Sequence, residues 1–319
     1  MLSDPTPRPG LAGVASMSWR RRVSCWLVVS IGSGLLVATS LKIAKQSHYW
    51  LTTLHQNRIS LTDQDMASAR QQLGDYEDQS FQTSDHLTLR AWYVRPRSRG
   101  TVVFVHGGYN NRASFLPVAA ALVKAGHGVL LYDSRGAGQS DEGLTTWGDH
   151  EQRDLLAALD FLATREGPAG QCVGVLGFSI GASTAAMVAA NDQRVSALLL
   201  NAVWSSLAGE VAYKSQPYGA LAAWLARGEF LLRGVDMDHV APRDAIGRFS
   251  PRPLLMIAGD ADTDTPPAVF RSVFAAAREP KDLWIIPGAH HGDYVQIAGD
   301  RYLKRVEGFF SEHLCRRSR

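Results

Sequence analysis

Gly177-Phe178-Ser179-Ile180-Gly181 stands between two stretches that cannot share one secondary structure. Before it, Cys172-Val173-Gly174-Val175-Leu176 is a short apolar run of the kind that makes a buried strand. After it, Ala182 to Ala190 is rich in alanine and suits a helix. The five residues between must turn the chain sharply, with Ser179 at the apex and its hydroxyl pushed into the open. Glycine at 177 and 181 has a steric reason, because strand and helix backbones come close in so tight a turn. The helix N-terminus behind Ser179 offers N–H groups and positive dipole to a negative oxygen formed there. This is the G-x-S-x-G pattern of a nucleophile elbow. The pentapeptide alone is a weak signal; the strand before it and the helix after it make it a strong one.

The chain around this turn repeats the same alternation. Leu87 to Val94 alternates partly and predicts an early antiparallel strand. Thr101 to Val105 is a β-branched run, the mark of a strand buried on both faces of a parallel sheet. A helix is expected over 113–125, a strand over 128–133 and a helix over 147–165. Further strands are expected at 195–200, 253–258 and 282–286, with helices near 267–277 and 294–313. Residues 203–249 interrupt the rhythm: rich in Ala, Leu and Trp and without a strand, they read as a helical cap. The expected fold is therefore α/β, a mostly parallel sheet covered on both sides. Ligands of such sheets bind outside the carboxyl ends of the strands.

A serine hydroxyl attacks poorly until a base takes its proton, and the base needs an anchor for its tautomer. Gly259-Asp260-Ala261-Asp262-Thr263-Asp264-Thr265-Pro266 directly follows one predicted strand, and Pro287-Gly288-Ala289-His290-His291 follows the next. Serine, then aspartate, then histidine is a chain order these turns would bring together.

With these motifs, the loop Asp133-Ser134-Arg135-Gly136-Ala137-Gly138-Gln139-Ser140 and His106-Gly107-Gly108, residues 80–313 resemble α/β-hydrolases of the serine-hydrolase type. Esterases, lipases and aminopeptidase-like enzymes are the members with such a loop. The resemblance implies Ser179 as nucleophile, Asp262 as the acid of Gly-x-x-Asp-x-x-x-Pro and His291 as the base closing Pro-Gly-x-x-His. It implies an oxyanion site at the backbone N–H groups of Ile180 and Gly108, with Tyr109 as a neighbouring alternative. The activity implied is cleavage of a carboxylic ester or thioester through an acyl-enzyme. An aminopeptidase-like amidase and a non-catalytic, membrane-tethered binding protein are the alternatives.

Each residue has a plainer rival. Asp260 and Asp264 read as loop and capping acids, Asp264 at the helix behind Pro266 and Pro267. His290 reads as an exposed neighbour. His106 reads as a structural hydrogen-bonding histidine, and Asp133 and Arg135 as braces of their loop. Trp204, beyond a strand end, is a candidate wall of the acyl pocket; Trp224 and Tyr218 read as core or cap aromatics. Asp236, Asp238 and His239 lack further ligands at fixed spacing and read as a solvated cap loop, so no metal is expected. No nucleotide or flavin motif is visible either, and no cofactor is expected.

Ahead of this region, Arg20-Arg21-Arg22 precedes Val23 to Leu41, 19 residues without a charge, and Lys42 and Lys45 close the run. As a helix it spans about 28 Å, close to the hydrocarbon thickness of a bilayer. The reading is a transmembrane anchor at 23–41, behind a disordered cytoplasmic tail over 1–22. A cleaved signal peptide and a buried helix are the alternatives. The excess of arginines before the run predicts a catalytic domain outside the cytoplasm. Residues 42–80 read as a stalk, in part helical, with a short strand expected to begin near Tyr76 or Phe81, and 81–313 as the domain with its cap at 203–249. Net charge of +3 is too small to argue for a nucleic-acid partner. The expected partners are a small or lipid-like ester and the membrane. Cys25, Cys172 and Cys315 make neither a disulfide framework nor a metal set, and read as structural or incidental.

Overall fold

Three apolar runs of the sequence, 101–105, 128–132 and 254–259, are buried at every position, and all three are strands inside an eight-stranded sheet, away from its edges. The computed structural model describes residues 38–42, 45, 59–167 and 172–315. The strands are β1 (Glu77–Gln82), β2 (Thr88–Val94), β3 (Thr101–Val105), β4 (Gly128–Tyr132), β5 (Val173–Phe178), β6 (Val195–Asn201), β7 (Leu254–Gly259) and β8 (Lys281–Ile286). Their order across the sheet is β1-β2-β4-β3-β5-β6-β7-β8. Only β1–β2 and β2–β4 are antiparallel; the other neighbours run parallel. No residue of β3, β4 or β7 is exposed, as a strand covered on both faces requires.

The helices are α1 (Asp63–Leu73), α2 (Leu116–Lys124), α3 (Glu151–Glu166), α4 (Ile180–Ala189) and α5 (Leu207–Ser215). There follow α6 (Ala220–Leu232), α7 (Pro242–Ala245), α8 (Pro267–Ala276), α9 (Tyr294–Ala298) and α10 (Asp300–His313). One face of the sheet packs on Leu155, Leu159 and Ala185 of α3 and α4. The other packs on Leu73, Leu122, Val306 and Phe310 of α1, α2 and α10. Residues 203–249 contain helices and no strand, and close a third apolar cluster around Trp204, Val211 and Phe230.

Within the stretch read as a partly helical stalk, residues 63–73 form a helix started by a capping box between Thr62 and Asp65, with Ala69 and Leu73 buried. Two local features differ from the sequence reading. The closing helix expected over 294–313 breaks at Gly299, whose φ of 54° suits glycine. Cys172 and Cys315, read as structural or incidental, are joined by a disulfide that ties the start of β5 to the end of α10.

The chain divides into two units, residues 1–46 and 47–319, and the described residues of the first, 38–42 and 45, are helical. The expected tail at 1–22 and most of the expected span at 23–41 lie outside the described residues. Among the described residues, no helix is long and apolar enough to cross a membrane.

Candidate active site

Ser179 occupies the turn between β5 and α4 with φ 55° and ψ −117°, a conformation held against its own strain. The flanking glycines are required by space. A Cβ at Gly177 would overlap the carbonyl of Gly181, and one at Gly181 would overlap those of Val105 and His106. The turn therefore presses α4 against the end of β3 and presents the seryl oxygen above the sheet.

Asp262 follows β7, and its side chain is fully buried. Its Oδ1 accepts from the N–H groups of Asp264 (2.9 Å) and Thr265 (2.8 Å), which fixes the carboxylate in its own loop. Its Oδ2 lies 2.9 Å from Nδ1 of His291, which follows β8. An ionised carboxylate only accepts, so Nδ1 carries the proton and Nε2 is left as acceptor. Nε2 stands 3.0 Å from Oγ of Ser179. Phe178 packs on the imidazole with ring centroids 4.9 Å apart. Three side chains from three strand ends thus form one connected chain of hydrogen bonds.

Gly108 and Ile180 lie side by side: a Cβ at Gly108 would stand 2.8 Å from Cδ1 of Ile180. Ile180 opens α4, so its N–H has no intrahelical acceptor. Both residues line a cavity of about 540 Å³ that reaches Ser179 and His291. Tyr109, at φ 57° and half exposed, lines it as well. So does Trp204, buried against Trp147, with its indole N–H sealed off and unpartnered.

The other acids and histidines fall outside this chain of bonds. His290 is exposed, and its N–H binds Asp293. Asp260 accepts from the Gly288 N–H at 2.6 Å and staples the two loops. Asp264 caps no helix; its carboxylate pairs with Lys214 of the cap at 2.9 Å, correcting the capping expectation. His106 is buried under the loop, donating from Nδ1 to the Gly107 carbonyl and accepting the Ser134 N–H at Nε2. Burial holds its pKa below the ordinary value. Asp133 binds Arg112 and the Gln139 N–H, while Arg135 binds Asp154 and Asp85. Asp238 pairs with Arg227, and Asp236 faces His239. Among the described residues no three His, Cys, Asp or Glu side chains are grouped to hold a metal ion. Trp224 projects from α6, 68% exposed, rather than packing in the cap.

Sequence reasoning missed several wall residues. Glu210 and Lys214, one turn apart on α5, line the cavity and face each other at 3.3 Å. Burial raises the Glu210 carboxyl above its ordinary pKa. Asn201 ends β6 and Tyr294 begins α9; both line the cavity. The i,i+4 spacing of Glu210 and Lys214 was the one early signal for that pair. For Asn201 it was a polar residue closing an apolar strand, and Tyr294 had none.

The sequence matches the profile described as "alpha/beta hydrolase fold" over residues 100–242. An uncharacterized protein of Mycobacterium tuberculosis is 30% identical over 239 residues, covering 72% of this chain and 78% of its own. The α/β hydrolase domain-containing protein WAV2 of Arabidopsis thaliana is 29% identical over 251 residues, covering 75% and 79%. The chain belongs to the α/β-hydrolase fold family. Among solved structures, an esterase of Pyrococcus furiosus superposes with a TM-score of 0.65 at 23% identity, over 81% of this chain and 98% of that one. At that identity the likeness speaks for the fold.

Proposed function

We propose that the chain is a serine hydrolase that cleaves a carboxylic ester or thioester through an acyl-enzyme. The observation that carries this reading is the connected path from Asp262 through His291 to Ser179, at 2.9 and 3.0 Å, opening into the cavity. His291 takes the proton from Oγ of Ser179 as that oxygen attacks the carbonyl carbon. The imidazolium then protonates the departing alcohol or thiol oxygen or sulfur as its bond to carbon breaks. A water activated by the same nitrogen releases the acid and restores Ser179. Asp262 holds the tautomer and stabilises the imidazolium. The N–H groups of Ile180 and Gly108 receive the oxyanion, each such donor being worth about 2.7–4 kcal/mol in comparable sites.

The apolar share of the walls, from Phe115, Val118, Phe178 and Trp204, favours an ester with a hydrocarbon limb over a charged peptide. The Pyrococcus furiosus neighbour is an esterase, which accords with this reading. Residues 23–41 would anchor the domain outside the cytoplasm, and a Cys172–Cys315 disulfide suits an oxidising compartment. The test is turnover of ester panels of graded chain length against aminoacyl anilides. Ester cleavage lost in Ser179→Ala supports the reading; cleavage of anilides alone, or ester cleavage indifferent to Ser179→Ala, overturns it.

A further inference from the structure

Trp147 stands in the loop between β4 and α3 with φ 58°, a backbone region that a side chain of this size rarely enters. The next residue, Gly148, takes such a conformation at φ 103° without strain, and glycine at 147 would do the same. The chain instead places an indole there and fixes it from both sides. The carboxylate of Glu151, buried at the start of α3, accepts from the Thr146 N–H and hydroxyl, both at 2.7 Å, and from the Gly148 N–H at 2.9 Å. The Thr146 hydroxyl accepts in turn from the His150 N–H at 2.7 Å. A Cβ on Gly148 would meet Val240 at 3.3 Å and Ser183 of α4 at 3.5 Å, so the loop is wedged between cap and elbow helix.

Backbone strain persists where the surroundings over-determine it, and it gathers at ligand sites. Tyr109, Trp147 and Ser179 all hold positive φ, and all line the same cavity. What the strain at 147 places is the indole. Its ring lies 5.8 Å from that of Trp204, and both share one apolar cluster with Ile180, the residue after the nucleophile. Phe230, Met237 and Val240 complete that cluster without lining the cavity, so the indole stands between it and them. Trp147 is 4% exposed, the remainder left by a ring packed from behind.

We propose that Trp147, held by Glu151, is the wall that limits the length of the acyl chain, so that the substrates are esters of short acids. The inference rests on the serine-hydrolase reading and names its substrate class. The departing group must face Nε2 of His291 to receive its proton, and His291 packs on Phe178. The acyl group stays on Ser179, beside Ile180 and the two indoles that cluster with it. Glu151 touches no substrate and is a positioning residue, acting through the loop. One methylene too many in an apolar pocket costs about 10-fold or more in kcat/KM, so a fixed wall makes a sharp step.

The experiment measures kcat/KM by acid release for ethyl butyrate, hexanoate, octanoate, decanoate and dodecanoate, beside the acetates of the matching alcohols. In the wild type the ethyl esters should fall about 10-fold or more at one step of the series, and the acetates should not. Trp147→Phe should move that step to a longer acid, and Trp147→Ala further still. Glu151→Gln, which turns a donor towards donors, should blunt the step, whereas a merely structural role would lower every ester alike and leave the step in place. A wild-type profile without a step, a step in the acetates alone, or a step unmoved in folded Trp147→Phe overturns the proposal. Should neither Trp147 variant fold, the wild-type profiles decide. Should the wild type turn over no ester, the hydrolase reading fails on its own. The wall is then read from wild-type melting temperatures with sodium butyrate to dodecanoate: the rise should stop growing within the series, and growth through dodecanoate overturns it.

Discussion

Tyr213 of the cap donates its hydroxyl to the carbonyl of Thr263, 2.9 Å away, in the loop that carries Asp262. The next residue, Lys214, binds Asp264 of the same loop at 2.9 Å. Helix α5 therefore holds the segment whose N–H groups fix the Asp262 carboxylate. On the proposed mechanism, Tyr213 and Lys214 are positioning residues acting through Asp262. Losing one such bond, at about 1 kcal/mol, lowers kcat about fivefold in Tyr213→Phe, with KM moving less. Steady-state kinetics checks this, and Lys214→Arg should recover activity that Lys214→Met loses. A KM change with kcat intact would show that α5 serves binding alone.

The elbow glycines give a sharper expectation. Gly181→Ala forces a Cβ into the carbonyls of Val105 and His106, two backbone atoms that cannot step aside. The expected cost is about 3 kcal/mol, read as a lower urea midpoint, with loss of turnover even in the folded fraction.

Arg112 and Asp133 form a buried ion pair at 2.5 Å, with the guanidinium also over the Trp92 ring at 4.5 Å. Asp133→Ala leaves the arginine charged and sealed in, which costs about 3–5 kcal/mol. Urea unfolding measures it. The loss should exceed that from Asp238→Ala, which breaks an exposed pair with Arg227 that solvent screens.

His127 sets a pH dependence. It is buried between the Gly100 carbonyl and the Ser311 hydroxyl, and burial lowers its pKa from 6.5 to about 4. Between those values the unfolded chain binds the proton and the folded one does not. Stability contributed by the neutral imidazole is full above pH 6.5 and is lost as pH falls towards 4. At about 1.4 kcal/mol per pH unit, that window carries on the order of 3 kcal/mol. Urea midpoints taken from pH 7 to pH 4.5 should fall steeply, and less so in His127→Gln.

Residues that obey a short local rule were legible in the sequence. Thr101 to Val105 reads as a doubly buried strand because every side chain is apolar or β-branched. Ser179 stood out because it sits in the turn between such a strand and a helix; strand ends narrowed the acid and the base to two short loops, and the family resemblance chose Asp262 and His291 within them. What escaped depends on partners distant in the chain. The extent of β1 escaped: a short strand beginning near Tyr76 or Phe81 was expected, but Glu77–Gln82 is almost wholly polar, and its six residues are set by antiparallel pairing with β2, where Phe81 meets Leu89. Asp264 looked like a cap because the prolines after it mark a helix start, whereas the cap helix 50 residues earlier supplies its lysine. The Cys172–Cys315 pairing spans 143 residues and leaves no trace in local spacing.

The central claim is that Ser179 is a nucleophile made reactive by His291, and a fluorophosphonate probe tests it most directly. On intact protein the account requires one covalent adduct, mapped to the peptide containing Ser179, absent in Ser179→Ala and formed far more slowly in His291→Ala. Folded protein that takes up no probe, or labelling that survives Ser179→Ala unchanged, would contradict it.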